Sequence, residues 1–128
     1  MRTLLSLALS LLIGCACMAQ DYVKAGEQNG VTLSYAWSHK KGKPSALLLK
    51  IANPTDEKRQ VHVDIDLAFE GLTVEQFAAD TLIGAHRTFT GKLNGIYFVP
   101  TTLTPEQAAS ADTHVEVTRF TAAPVPTE

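Results

Sequence analysis

Five apolar residues alternate from Val61 to Phe69: Val61, Val63, Ile65, Leu67 and Phe69 against His62, Asp64, Asp66, Ala68 and Glu70. Successive side chains of an extended strand point to opposite faces, so this run makes one apolar and one largely polar face. Wound into a helix, the same five residues scatter around the axis. Two other runs repeat the pattern. Val31, Leu33, Tyr35 and Trp37 alternate with Thr32, Ser34, Ala36 and Ser38. From Ala46 to Ala52, Leu47, Leu49 and Ile51 point one way and Leu48 and Lys50 the other. Asn53-Pro54-Thr55-Asp56 then supplies a turn, because proline presets φ and Asn or Asp caps locally. These three strands read as an antiparallel meander.

The second half is less regular. Arg87–Leu93, Asn94-Gly95 and Ile96–Val99 match a hairpin closed by a two-residue Asn-Gly turn, and Pro100 ends it because it has no N–H for a ladder. Thr104-Pro105-Glu106-Gln107 is a capping box with proline in the first helical position, which predicts a short helix through about Ser110. A last strand is expected over Thr113–Phe120. Thr73–Ala79 reads equally as a helical turn or a strand.

Short strands with turn signals about every ten residues predict an all-β fold, a single antiparallel β-sandwich with one short helix near 105–110. On Leu47–Phe69 with its Asn53-Pro54-Thr55-Asp56 turn, and on Gly91–Pro100, the chain resembles the immunoglobulin-like and fibronectin-III-like modules of bacterial envelope proteins. The Cys…Trp…Cys hallmark of antibody domains is absent, and Trp37 falls on the first of these strands. The resemblance implies an envelope module and leaves the strand order open.

The first nineteen residues have the layout of a secretory signal peptide. Arg2 precedes a leucine-rich run from Leu4 to Ile13, followed by the small-residue stretch Gly14-Cys15-Ala16-Cys17-Met18-Ala19. The run is too short to span a bilayer, which needs roughly 20 apolar residues. Leu12-Ile13-Gly14-Cys15 resembles the lipobox of bacterial lipoproteins, which implies removal of 1–14 and acylation of Cys15; stable anchoring takes more than one acyl chain. The other reading is cleavage after Ala19, which discards both cysteines. The remaining boundaries are expected at 20–30 for a polar lead-in, 31–121 for the sandwich and 122–128 for a frayed Ala/Pro-rich tail.

Either cut leaves roughly 110 residues, one domain, enough to build a core without metal or disulfide. Cys15 and Cys17 are too close in sequence to close a useful loop. The full chain has 11 Lys and Arg against 13 Asp and Glu. Losing Arg2 makes it more acidic still, which argues against a nucleic-acid partner.

Candidate chemistry is sparse. The sequence contains no phosphate-binding glycine loop, Gly-x-Ser-x-Gly elbow, His-Glu-x-x-His or Cys-x-x-Cys, so it predicts neither an enzyme nor a cofactor. His62, Asp64 and Asp66 share a strand face, and Asp112, His114 and Glu116 form a similar row; if the two adjoin, His62, Asp64, Asp66, His114 and Glu116 are candidate metal ligands. The same residues are equally what a solvated sheet face requires. Lys40, Lys41 and Lys43 form a basic loop suited to an anionic surface such as lipid headgroups, or simply to water. Asn94 and Gly95 are the second candidate contact, and loops 39–45 and 72–83 are expected to carry binding. Tyr35, Trp37, Phe89, Tyr97 and Phe98 are expected in the core, with ligand stacking as the alternative. The resulting expectation is an exported, non-enzymatic module, periplasmic, secreted or membrane-anchored through Cys15, that binds a protein or glycan or serves as a structural accessory. An inhibitor of an external lysozyme or protease, using the Asn94-Gly95 turn, is the alternative; a metal-dependent surface site is the third.

Overall fold

The structure is a computed structural model that describes residues 21–126. The leader, Cys15 and Cys17 lie outside the described residues. Two antiparallel sheets pack face to face, as expected for an all-β sandwich. Strands β1 (Val23–Gln28), β2 (Val31–Ser38) and β3 (Ala46–Asn53) form the first sheet in that order. Its far edge is shared by β6 (Arg87–Thr90) and β7 (Tyr97–Phe98), both paired to β3. The second sheet has the order β5-β4-β8, with β4 at Arg59–Phe69, β5 at Leu72–Ile83 and β8 at Thr113–Pro124. Helix α1 (Pro105–Ala108) precedes β8.

The core follows the alternation. Leu33, Leu47, Leu49 and Ile51 from the first sheet meet Val61, Val63 and Ile65 from the second, all essentially solvent-free. Each full burial of such a side chain contributes about 1.5–3 kcal/mol, whereas an exposed ion pair such as Lys24–Glu27 is screened by water and adds little. The β4 pattern therefore dominates. It also overturns the three-strand meander: β2 and β3 pair, but β4 crosses to the second sheet. Its apolar face is buried against the first sheet rather than beside it.

Four further expectations are corrected. The lead-in at 20–30 contains β1, joined to β2 by Asn29-Gly30, whose φ angles of 50° and 82° are both positive, as a two-residue type I′ turn requires. A Cβ on Gly30 would lie 2.7 Å from Thr55 Cγ2. The segment Leu72–Ile83 is an edge strand, not a binding loop, and follows a second positive-φ turn at Glu70-Gly71. The Asn94-Gly95 hairpin does not form. Instead Gly91–Asn94 is a 3-10 turn, held by the Thr90 amide donating to Asn94 Oδ1 at 2.7 Å. It lets β6 and β7 run on along one edge of β3 and drives Ile96 into the core. Finally, β8 reaches Pro124, past the tail boundary expected at residue 122. Ala122 is fully buried, its amide donating to Gln28 Oε1 (2.9 Å) and its carbonyl accepting from Asn29 Nδ2 (2.8 Å). Two side chains of the β1–β2 turn thus serve the last strand as a ladder partner would.

Both sheet crossings at this pole meet at Asn53, the last residue of β3. Its side chain is solvent-free; Nδ2 donates to the carbonyls of Glu57 (2.8 Å) and Gly84 (3.0 Å), and Oδ1 accepts from the Thr55 amide (3.1 Å) and hydroxyl (2.6 Å). Nearby, the His86 amide donates to the Thr55 carbonyl at 3.1 Å. Asn53→Ala strips partners from half-buried polar groups on both crossings, each at the lower part of the cost of about 1–3 kcal/mol for an unsatisfied buried group. A total loss of about 2–4 kcal/mol is expected in urea unfolding, far above an ordinary surface substitution.

Candidate functional site

The opposite pole carries the basic loop. Strand β2 ends at Ser38 and β3 begins at Ala46, directly opposite in the ladder, so residues 39–45 project as a closed loop. His39 stacks on Trp37 with centroids 5.4 Å apart, and its Nδ1 lies 2.8 Å from the buried Ser45 hydroxyl. The Lys43 amide donates to the Lys40 carbonyl (3.0 Å), and Gly42 takes the left-handed φ of 78° that closes the turn. Lys40, Lys41 and Lys43 are thereby left exposed on a clamped backbone. None of the three forms an ion pair among the described residues.

The 100–109 segment faces this loop. Its helix is set by the capping box predicted from sequence: Thr104 Oγ1 accepts from the Gln107 amide (3.2 Å) and Gln107 Oε1 accepts from the Thr104 amide (2.9 Å). Glu75 on β5 holds the approach to it. Its carboxylate accepts from the Thr101 and Thr102 amides at 3.0 and 3.1 Å and from the Thr102 hydroxyl at 2.8 Å. Burial, the largest single influence, pushes the Glu75 carboxyl up, but the hydrogen bonds from Thr102 and Thr101 together outweigh it and hold it below its ordinary value. Between loop and segment lies a groove of about 760 Å³. One wall carries the lysines; the other presents Pro100, Leu103, Pro105 and Ala108, with Glu106 on the rim. Such a groove suits an anionic group carried on an apolar or methylene-rich body.

The other sequence candidates fall elsewhere. The rows on β4 and β8 are indeed neighbours, but the register sets His62 opposite Thr121, Asp64 opposite Arg119, Asp66 opposite Glu116 and His114 opposite Ala68. A bulge at Thr118 causes part of this offset; it also turns both Val117 and Phe120 inward. Asp112 precedes β8. His62 is bridged on both sides, Nδ1 lying 2.7 Å from Asp80 Oδ1 and Nε2 2.9 Å from Asp64 Oδ1. Both ring nitrogens donate at once only in the imidazolium form, which offers no lone pair to a metal. Among the described residues, no group of three or more His, Cys, Asp or Glu is arranged to hold a metal ion. Asn94 and Gly95 border a separate, smaller recess against residues 78–81 of β5 and do not adjoin the lysines. Tyr35, Trp37, Phe89 and Phe98 pack on the core, while Tyr97 remains partly exposed.

The wall formed by Pro100, Leu103, Pro105 and Ala108 was not identified from sequence. Its helix was readable from the capping box, but nothing local links residue 103 to residue 43. Comparison of the chain with family models, with curated proteins and with solved structures returns no match.

Two pH dependences follow. Hydrogen bonds to Asp80 and then Asp64 raise the His62 pKa above 6.5, against a smaller opposing effect of desolvation. This contribution to stability is complete below about pH 6.5, and it fades as pH rises through the higher folded value. Unfolding measured between mildly acid and mildly alkaline pH should show this loss, and His62→Gln should flatten it. The Glu75 contribution has the opposite sign: present above pH 4.5, it is lost as pH falls through the lower folded value. In acid, or in Glu75→Gln at neutral pH, the Thr101 and Thr102 amides should lose protection against hydrogen exchange, measured relative to the intrinsic rate at each pH, while core amides of β3 and β4 keep theirs.

Proposed function

We propose that this chain is an exported, non-enzymatic module of the cell envelope that works by binding, and that the groove between loop 39–45 and α1 is its contact surface for a negatively charged envelope component. The observation that carries this reading is the placement of Lys40, Lys41 and Lys43, exposed and without ion pairs among the described residues, along one wall of a groove whose other wall is apolar but for Glu106. Three cations grouped on a chain of net charge −2 mark the place where an anion is attracted rather than repelled. The clamped loop and capped helix support it further, because a surface ordered beforehand loses less entropy on binding. The leader-like first nineteen residues support export.

Hydrogen exchange on the processed chain tests this reading. Washed envelope fragments should slow the amides of residues 39–45 and 101–109, and the combined Lys40→Glu, Lys41→Glu and Lys43→Glu variant should lose that protection with its melting temperature kept. Protection confined to other surfaces, or recovery of the uncut chain from cytosol, would refute it.

A further inference from the structure

We infer that the anionic component met by the basic loop is the headgroup layer of the membrane to which the chain is tethered, so that the pole bearing loop 39–45 lies against the bilayer. This rests on the groove reading above and on anchoring through Cys15.

Strand register supplies the geometry. Val23 pairs with Tyr35 and Ser38 with Ala46. The chain therefore enters the first sheet, at Asp21 and Tyr22, at the same pole from which the lysine loop projects and on the adjacent strand. Tyr22 is held there, with Lys50 Nζ 5.6 Å from its ring centre and its hydroxyl against Gly91. The last described residues leave β8 near Ala123 and Pro124, which pair with Gln60 and Arg59 at the opposite pole. Only one end of the sandwich is thus close to the point of tethering.

Chain length limits how far that end can stand off. Cys15 precedes Asp21 by six residues, which reach at most about 20 Å when fully extended. A cationic loop on so short a leash is presented to the headgroups at high effective concentration. The distribution of charge selects the orientation. Of the acidic residues at the same pole, Glu70 and Asp112 sit together at the β4–β5 turn, where the Glu70 amide donates to the Asp112 carbonyl at 3.0 Å. That is the side of the second sheet. Glu75 is taken up by the Thr101 and Thr102 amides, and Asp21 and Glu106 lie on the lysine side. The tether and the lysines both belong to the first sheet, so a tilt toward it brings the three lysines, with Asp21 and Glu106, to the surface and holds Glu70 and Asp112 away. Asp64, Asp66, Asp80 and Glu116 lie on the outer face of the second sheet, roughly perpendicular to the contact. Leu103 and Pro44 beside the lysines match the apolar side of the headgroup boundary.

Trp37, the single tryptophan of the chain, stacks beneath the loop on His39 and is a built-in reporter. The processed full chain, reconstituted with vesicles of phosphatidylethanolamine and phosphatidylglycerol carrying a nitroxide on the headgroup, should show quenched Trp37 emission. Phosphatidylcholine vesicles with the same nitroxide should quench much less, and high salt should relieve the quenching on the anionic vesicles. At about fivefold per lysine, the Lys40→Glu, Lys41→Glu and Lys43→Glu variant should lower the docked-to-undocked ratio by at least about 100-fold. The salt arm stands whether or not that variant folds. Equal quenching on neutral and anionic vesicles, unquenched Trp37 on anionic vesicles, or a processed chain that begins at Gln20 without an acyl group overturns the inference. Should envelope fragments still protect the groove amides while Trp37 stays unquenched, an acidic protein or glycan is the occupant and only the membrane assignment falls. Loss of both signals removes the groove reading as well.

Discussion

A solvent-free amide at the end of β3 governs how this sandwich closes. The chain leaves one sheet for the other after Asn53 and returns after Ile83, and both connections bend at the same pole. Their carbonyls and amides turn away from any ladder, so they need partners that regular pairing cannot supply. Asn53 serves Glu57 and Gly84 with its two donors and Thr55 with its acceptor. A hydrophobic side chain there would fill the space but orphan those groups. Satisfied internally, this pole is stiff.

The other pole is organised differently, and that difference permits a binding surface. Its loop is held by a few side-chain clamps, His39 to Ser45 and Glu75 to Thr101 and Thr102, rather than by a buried network. Those clamps shape the backbone while leaving Lys40, Lys41, Lys43 and the Pro100–Ala108 wall facing outward. Charge is segregated at the same time. Carboxylates gather on the outer face of the second sheet, where Asp80 and Asp64 hold His62 between them, and Lys40, Lys41 and Lys43 gather at the end of the first. A chain that is slightly acidic overall thereby carries a locally basic contact.

Legibility differed with the range of the signal. The alternation in β2, β3 and β4 and the capping box at Thr104 were readable because each is a relation among neighbours. Asn29-Gly30 and Asn94-Gly95 are the same dipeptide, yet only the first closes a hairpin. The second is taken over by the free edge of β3, which offers partners to both β6 and β7. The 72–83 stretch hid its strand because Val74 is a bulge and Glu75 faces the Thr101–Thr102 segment, which spoils the period of two. Ala122 reads as tail until Gln28 and Asn29 are seen to bond it from more than ninety residues away. The lysines were visible as a charge cluster, whereas the wall opposite them was not.

From the order of residues alone came the strands β2, β3 and β4 and the start of β8, the inward and outward faces of β4, the helix start at Thr104 and the exposure of the lysine loop. These depend on side-chain alternation and on hydrogen bonds a few residues long, and such terms are present in any compact state the chain adopts. Tertiary structure alone decided that β4 crosses to the second sheet, that the β4–β8 register sets His62 opposite Thr121 rather than His114, and that α1 stands across a groove from Lys43. Those outcomes depend on which distant surfaces best exclude water from one another, a comparison among whole arrangements that no short window of sequence contains.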